Sequence, residues 1–393
     1  MRFQSYFNTA LQIINSHNGS IPLAHYLKQY FAQHKKHGSK DRKYISHLCY
    51  CYYRLGHALK NVQVEERLKI ALFLCNDNID EWNVLYDEAW LKHHSSSLNE
   101  RIIFIKSQYH FDVTDIFPWQ NSLSDGIDIK AFCLSHLIQP NLFLRIRPGQ
   151  KNIVLQKLQQ HNIAFTEIDE NAVSLPNSTK IEDVIELNRE AVVQDYSSQQ
   201  IQQLFNIAQA GLSLPVSVWD CCAASGGKSI LAYDSFDNIE LTVSDIRPSI
   251  INNLKERFLQ AGIKKYKSFI ADLTLPASAL HLIPSTASFQ LIICDVPCTG
   301  SGTWARTPEQ IYFFTSEKLE HYTAIQQKIV RSIISHVQKD GCLLYITCSV
   351  FKKENERMAD LIENECKLTL VKQDMIKGYD KKADTMFAAL FKK

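Results

Sequence analysis

The sequence lacks several features that would fix its class at once. It contains no apolar run approaching the roughly 18 residues that a membrane-spanning helix needs. Its first residues lack the uninterrupted apolar core and the small-residue cleavage site of a signal peptide. None of the 11 cysteines is spaced as C-x-x-C, which argues against a zinc site and favours free thiols over disulfides. These absences predict a cytoplasmic protein with no membrane association and no bound metal ion.

Acidic side chains are scarce in residues 1–60, where Asp41 is the only one. The Lys and Arg residues of this region are Arg2, Lys28, Lys35, Lys36, Lys40, Arg42, Lys43, Arg54 and Lys60. A local positive excess of this kind, interleaved with Tyr and His, predicts a nucleic-acid-binding surface within a chain whose net charge is only +2. The alternative is a solvated basic face that balances the acidic segment 61–130 behind it.

The hydrophobic pattern divides the chain into three predicted domains. In residues 1–135, apolar side chains recur every three or four residues, which predicts an all-helical domain. Residues 136–200 alternate short strands with a helix, as in a small α+β module. In residues 201–393, five buried-strand candidates alternate with amphipathic segments, and two further strands close the chain. We therefore predict a Rossmann-like α/β domain with a mostly parallel seven-stranded sheet, whose last strand runs antiparallel.

Acidic residues follow four of the predicted strands, at the sheet edge where ligands bind in doubly wound folds. They are Asp220, Asp245, Asp272 and Asp295. Asp245 follows the second strand, where dinucleotide folds place the acid that holds ribose hydroxyls. Asp272 can accept a hydrogen bond from an adenine amino group. Because several carboxylates would repel a triphosphate but tolerate a sulfonium cation, this edge points to S-adenosylmethionine.

The stretch CCAASGGKS, residues 221–229, comes close to a phosphate-binding loop. Gly227, Lys228 and Ser229 match that pattern, but Cys222 stands where its first Gly belongs. Gly226 and Gly227 would let the backbone approach a nucleotide closely. Lys228 would pair with the carboxylate of the cofactor or orient the loop. A P-loop ATPase is therefore an alternative that the acid-lined site and Cys222 disfavour.

Two cysteines also follow predicted strands. Cys298 comes after Pro297 in a loop that leaves the fourth strand, and Cys348 ends the fifth strand in the sequence YITCS. Because neighbouring strands lie about 4.8 Å apart, both thiols are expected to face one substrate. A single Cys in a strand is more often a small buried hydrophobic residue, and we give that interpretation to most of the other cysteines.

These motifs together resemble the RNA (cytosine-5)-methyltransferases of the Sun/Nop, RsmB-like family. The resemblance depends on DCCAASGGKS, VSD, IAD, ICDVPCTGSGTWARTPE and YITCSV followed by KENE, in the order and spacing of that family. The segment SKDRKYISHLCYCYYRLG resembles the NusB-like domain of some bacterial members. Residues 136–200 resemble their small RNA-binding-like domain. The resemblance implies a methyltransferase that acts on RNA, with ribosomal RNA favoured over transfer RNA, and we expect a monomer.

The resemblance also implies a role for each site residue. The cofactor-binding residues would be Cys222, Ala223, Ala224, Ser225, Gly226, Gly227, Lys228, Asp245, Asp272 and Asp295. Asp245 would hold the ribose, Asp272 would lie near the adenine, and Asp295 would lie near the methionine end.

The implied reaction uses both thiols. The thiolate of Cys348 would add to carbon 6 of cytosine, carbon 5 would take the methyl group, and Cys298 would assist release. Asp295 would hydrogen-bond the activated ring. The target base must be unstacked to reach the pocket, and Trp304 and Arg306 would hold RNA near the site.

The sequence departs from the family pattern at two positions. Ser225 stands where Pro is usual, which puts the rigidity of the loop in question. Ile250 stands where an Arg often follows the ribose-binding acid by five residues, although Arg247 is nearby. Three alternatives remain besides the P-loop ATPase: a transfer RNA methyltransferase, a DNA cytosine methyltransferase in which Cys298 attacks, and a non-catalytic RNA-binding assembly factor.

Overall fold

The chain, in a computed structural model that describes residues 2–275 and 287–393, forms two compact units. Unit 1 contains Met1–Asn121, Asp128–Gln139 and Thr303–Thr315. Unit 2 contains Ser122–Ile127, Pro140–Gly302 and Ser316–Lys393. Unit 2 thus contains most of the predicted small module and of the predicted sheet domain. Within the described residues, no helix is both long and apolar enough to cross a membrane.

Helices occur in both units. The α-helices are α1 Arg2–Ser16, α2 Leu23–Gln33, α3 Ser39–Arg54, α4 Val64–Cys75, α5 Glu88–His93, α6 Leu98–Gln108, α7 Ile129–His136, α8 Lys151–Gln160, α9 Tyr196–Gln199, α10 Gln202–Gln209, α11 Gly227–Ser235, α12 Pro248–Gln260, α13 Glu309–Tyr312, α14 Ser316–Ile333 and α15 Glu356–Asn364.

All of the named strands lie in unit 2. They are β1 Leu142–Ile146, β2 Thr166–Asp169, β3 Ala172–Leu175, β4 Ala191–Val193, β5 Val216–Asp220, β6 Ile239–Asp245, β7 Tyr266–Ile270, β8 Phe289–Asp295, β9 Val337–Thr347, β10 Thr369–Ile376 and β11 Met386–Lys392.

Unit 1 is helical because its apolar residues fall on one face of each segment. Helix α1 buries Phe7, Ala10, Ile13 and Ile14 at three- and four-residue steps. It packs against α3 and α4. The helical N-terminal region of the predicted fold class is therefore confirmed.

The small module of unit 2 is a four-stranded antiparallel sheet in the order β2-β3-β1-β4, with α8 packed on it. Strand β4 was not predicted, because three residues are too few to show an alternating pattern. Two arginines of this module, Arg145 and Arg147, both donate to the buried carboxylate of Asp234 at the end of α11, at 2.6 Å each. This clamp fixes the module to the larger sheet domain within unit 2.

The larger sheet has the strand order β10-β11-β9-β8-β5-β6-β7. Strands β5 to β9 run parallel to one another, and β11 runs antiparallel to both β9 and β10. The central strands β5 and β8 are largely apolar because both of their faces are buried. Val218 and Leu344 belong to the core on one face, and Trp219 and Leu343 to the core on the other. The predicted fold class, including the antiparallel last strand, is confirmed.

Candidate active site

The glycine loop connects the carboxyl end of β5 to the start of α11. Its backbone turns through left-handed conformations at Ala224 (φ 44°) and Gly226 (φ 84°). A Cβ at Gly226 would lie 2.8 Å from Phe258 of α12, so this glycine serves the turn and the packing of the helix. A Cβ at Gly227 would meet nothing within 4 Å. The open approach for a ligand is therefore at Gly227, although the sequence suggested the same role for both glycines.

Ser225 stands where the family usually has Pro, and the structure shows what holds the loop at this position. Ser225 is exposed, and both its carbonyl oxygen and its hydroxyl accept hydrogen bonds from Arg257 of α12, at 2.8 Å each. Ala223, the next residue but one before it, is buried and donates its N–H to Ser244 of β6. Hydrogen bonds to the neighbouring helix and strand thus hold the loop at the position where the family usually has Pro.

Asp245 ends β6 and is almost fully buried. Its Oδ2 accepts from the N–H of Ala224 in the glycine loop at 3.1 Å. Arg247 donates to Oδ1 through both its backbone N–H and its Nε, at 2.9 Å each. Burial works against ionisation, but the bonds from Arg247 outweigh it and lower the pKa of Asp245. Asp245 is therefore an ionised acceptor, and Arg247 supplies a cation close to Ile250.

Asp295 ends β8 and forms an ion pair with Lys228, whose Nζ lies 3.1 Å from its Oδ2. Lys228 is buried at the start of α11, so the pair links the glycine loop to the end of β8. Asp272, by contrast, lies two residues beyond β7 and accepts from the backbone and the hydroxyl of Thr274. The structure brings Lys228 and Asp295 together, and it uses one oxygen of Asp272 to form a turn.

Asp220 lies buried beneath the loop at the end of β5. One carboxylate oxygen accepts from Ser229 at 2.6 Å, and the other, Oδ1, has no hydrogen-bond partner within the described part of the chain. Burial, opposed by the Ser229 hydroxyl, raises the pKa of Asp220 to about 7. A carboxylate with an orphaned oxygen marks a place where a polar or cationic ligand would be stabilised.

These residues fit S-adenosylmethionine. Three acids lie at the ends of neighbouring strands: Asp295 is paired with Lys228, Asp245 is paired with Arg247, and Asp220 has no cation among the hydrogen-bond partners that the structure describes for it. Such a site suits a ligand with a sulfonium and an amino group and disfavours a triphosphate. A Cβ at Gly227 would meet nothing within 4 Å, which leaves space for a ligand there. The described residues do not gather three or more His, Cys, Asp or Glu side chains into a metal-binding group.

The two thiols meet at the ends of β8 and β9. The Sγ atoms of Cys298 and Cys348 lie 3.3 Å apart, and both residues are half-buried and free of disulfides. The hydrogen bond to Cys348 and burial raise the pKa of Cys298 well above that of an ordinary thiol. A backbone bond of 2.9 Å from the N–H of Gly302 to the carbonyl of Cys348 ties the two loops together.

A buried polar network that was not predicted from the sequence lies behind the thiols. Glu354 and Asn355 are fully buried, although they follow two exposed or half-exposed lysines in the sequence KKENE. Asn355 accepts from Thr347 at 2.6 Å and donates to the carbonyl of Ser349 at 2.9 Å. The sequence signal was the KENE motif itself, to which we assigned no role.

Two expectations about RNA contacts need correction. Trp304 is 2% exposed and packs against Phe314, with ring centroids 5.0 Å apart. It is a core residue of unit 1 and does not offer its ring to RNA. Arg54, counted among the basic residues of 1–60, is buried and donates to three backbone carbonyls. The exposed basic residues near the connection from α2 to α3 are Lys35, Lys36, Lys40, Arg42 and Lys43.

The candidate site lies within the part of the chain that matches a methyltransferase family model. Residues 215–389 match the model of a family described as 16S rRNA methyltransferase RsmB/F. The chain is similar to probable ribosomal RNA small subunit methyltransferases B from Bacillus subtilis and Synechocystis, each 27% identical over 58% of this chain. It covers 50% and 51% of those proteins, so it spans about half the length of the curated relatives it matches.

Two solved structures share the fold. One is PH0851, with 16% identity, 99% coverage of this chain, 98% of that chain and a TM-score of 0.70. The other is a methyltransferase homologue from Pyrococcus horikoshii, with 16% identity, coverage of 69% and 92%, and a TM-score of 0.57. The resemblance to RsmB-like methyltransferases, and with it S-adenosylmethionine as the cofactor, is confirmed.

Proposed function

We propose that this chain, whose residues 215–389 match the RsmB/F methyltransferase family, methylates carbon 5 of a cytosine in ribosomal RNA through a covalent adduct with Cys348. The observation that carries the proposal is the pair of free thiols, 3.3 Å apart, at the ends of two adjacent parallel strands. A buried structural cysteine needs no second thiol and no strand-end position. Two thiols at the ligand-binding edge of the sheet suit a reaction that forms one bond to sulfur and later breaks it.

Cys348 is the proposed nucleophile. Its thiolate adds to carbon 6 of the cytosine, and the ring electrons move toward carbon 5, which becomes enamine-like. When bound, S-adenosylmethionine supplies an electrophilic methyl group on a sulfonium sulfur. Carbon 5 accepts that methyl group and then loses its proton to a base. The bond between carbon 6 and Cys348 breaks, and the aromatic ring and the thiolate are restored.

The other site residues have supporting roles in this proposal. Cys298, next to Cys348, takes part in the release step. Asp295, held by Lys228, hydrogen-bonds the activated ring. Asp245 holds the ribose of the cofactor, and Asp272 lies toward its adenine. Cys222 and the following loop residues through Lys228 surround the rest of the cofactor.

RNA as the substrate is supported by charge and by the relatives. The exposed cations of unit 1 near the connection from α2 to α3, Lys35, Lys36, Lys40, Arg42 and Lys43, give a surface that can neutralise phosphates. The curated relatives are named as ribosomal RNA small subunit methyltransferases. We therefore favour ribosomal RNA over transfer RNA.

Single substitutions of the two thiols test the proposal. The Cys298→Ala protein should methylate RNA once and then accumulate a protein–RNA complex that survives denaturing gel electrophoresis. The Cys348→Ala protein should form no such complex and transfer no methyl group. Cys342→Ala, a substitution in the middle of β9, is the matched control and should retain activity. Trapping by Cys348→Ala and not by Cys298→Ala would overturn the assignment and favour the DNA-type reaction.

A further inference from the structure

We propose that Glu354 is a positioning residue that decides which of the two thiols attacks, by holding both thiol loops and keeping the proton on Cys298. This inference rests on the proposed function, since it explains why Cys348 and not Cys298 becomes the nucleophile. The Glu354 side chain is fully buried behind the two loops. It belongs to the polar network that carries no assigned role in the reaction.

Glu354 connects the residues that follow the two cysteines. Its Oε1 accepts from the backbone N–H of Thr299, the neighbour of Cys298, at 2.9 Å. Its Oε2 accepts from the hydroxyls of Thr299 and of Ser349, the neighbour of Cys348, at 2.5 Å each. One carboxylate thus holds both loops, and the relative position of the loops sets the distance between the two sulfur atoms.

Helix α14 completes the bridge. Gln326 donates from Nε2 to Glu354 at 2.9 Å and to the carbonyl of Pro297 at 3.0 Å. Glu354 thereby accepts four hydrogen bonds, and all four donors are neutral. The adjacent lysines pair elsewhere, Lys352 with Asp125 and Lys353 with Glu320. No cation therefore takes part in these hydrogen bonds.

The negative charge of Glu354 favours the protonated form of Cys298. Burial raises the pKa of Glu354, against the four donors that favour its ionised form. The hydrogen bond to Cys348 and burial are the main causes that raise the pKa of Cys298, and the negative charge of Glu354 adds to them. A protonated Cys298 can donate its S–H to the sulfur of Cys348, which stabilises the Cys348 thiolate.

Other groups face the thiols from the surrounding elements. They are Tyr322 of α14 and Tyr345 of β9. Asp295, which ends β8 three residues before Cys298, is paired with Lys228. The tyrosines are neutral at ordinary pH because burial raises the pKa of each. The ion pair is balanced within itself. Glu354 is thus the group whose charge can be removed without disturbing a cation.

The test alkylates the protein with iodoacetamide in the absence of substrate, between pH 6 and 10. Mass spectrometry then shows which of the two cysteines reacts first. In the reaction the thiolate sulfur displaces iodide from carbon, so the rate reports the thiolate fraction. Wild-type protein should be alkylated first at Cys348. In the Glu354→Gln variant, the hydroxyls of Ser349 and Thr299 can rotate so that they accept hydrogen bonds from the new side-chain amide. Alkylation of Cys298 relative to Cys348 should then rise about tenfold, the equivalent of one pKa unit.

Two control variants separate charge from packing. Glu256→Gln makes the same charge change at an exposed site on α12 and should keep the wild-type ratio. Thr299→Val removes one hydroxyl but keeps the carboxylate and the backbone bond, so Cys348 should still react first. If Thr299→Val alone reverses the order, loop packing decides it and the proposal is wrong. This control is decisive even if Glu354→Gln fails to fold.

The outcome is separable from that of the proposed function. If gel-stable complexes assign attack to Cys348 but Glu354→Gln keeps the wild-type alkylation ratio, only the role of Glu354 fails. If the complexes assign attack to Cys298, the proposed function fails whatever the ratio. A tenfold rise for Glu354→Gln together with an unchanged ratio for both control variants would establish the positioning role.

Discussion

The candidate site has two halves that handle charge differently. In the cofactor half, at the ends of β5, β6 and β8, the acids Asp245 and Asp295 are each paired with a cation. In the thiol half, at the ends of β8 and β9, Glu354 is buried among neutral donors. A charged ligand needs a site whose charges are already held in place. A pair of thiols needs a field that treats the two sulfur atoms unequally, and one buried carboxylate provides it.

The largest expected effect is in the thiol half. Asn355→Ala removes an acceptor from Thr347 and a donor from the carbonyl of Ser349, both buried. We expect a loss of about 2–5 kcal/mol in the free energy of unfolding, because each unsatisfied buried group costs about 1–3 kcal/mol. Urea denaturation measures this loss. The exposed Asn364→Ala is the control and should change stability by less than about 0.5 kcal/mol. Equal losses in the two variants would show that the network is not structural.

The next effect is on the pH dependence of stability and comes from Asp220, a buried acid of the cofactor half. Burial raises the pKa of Asp220 to about 7, so the folded protein holds a proton there that the unfolded chain has lost above about pH 4. This acid therefore adds stability below pH 4, and that contribution disappears as the pH rises through 7. Between pH 5 and pH 7.5, wild type should lose about 2–3 kcal/mol relative to Asp220→Asn. Parallel stability curves for the two proteins would contradict the burial argument.

Asp245 gives the third effect, on the ligand. Asp245→Ala removes the acceptor proposed for the ribose hydroxyls, and a lost charged hydrogen bond is worth roughly 1.5–3 kcal/mol, or about ten- to a hundredfold in affinity. Calorimetry with S-adenosylmethionine measures it. The exposed Asp237→Ala is the control. The alkylation order of Cys298 and Cys348 should stay at its wild-type value, since the change is confined to the cofactor half. Unaltered affinity would move the ribose contact to another residue.

The same comparison explains what the sequence could predict. The cofactor half lies where apolar strands end in Asp, and parallel strands bring such ends to one edge. The strand ends therefore sufficed to predict Asp245 and Asp295 as site residues, whereas Lys228 was predicted from its loop motif. The pairing of Arg247 with Asp245 was not, because a side chain two residues beyond a strand can turn either way.

The thiol half was only half predictable. Cys298 and Cys348 follow strands and were recognised in the same way as the acids. Glu354 was not, because KKENE has the composition of a solvated helix start, and its burial depends on Gln326 and Thr299 far away in the sequence. The prediction that Trp304 contacts RNA was wrong because an aromatic residue in a polar loop is expected to be exposed. Its burial depends on Phe117 and Phe314, which the loop sequence does not reveal.

The most direct test of the central claim locates the cysteine that bonds to RNA in the unaltered protein. In ribosomal RNA that contains 5-fluorocytosine, the modified base carries fluorine in place of the proton at carbon 5. After methyl transfer, the bond from carbon 6 to sulfur therefore cannot be eliminated. Wild-type protein incubated with this RNA and S-adenosylmethionine should therefore remain attached to it. Digestion and peptide mapping should find the nucleotide on the peptide that contains Cys348. A nucleotide on the Cys298 peptide, or no adduct with an RNA that the protein methylates in its unfluorinated form, would contradict the account.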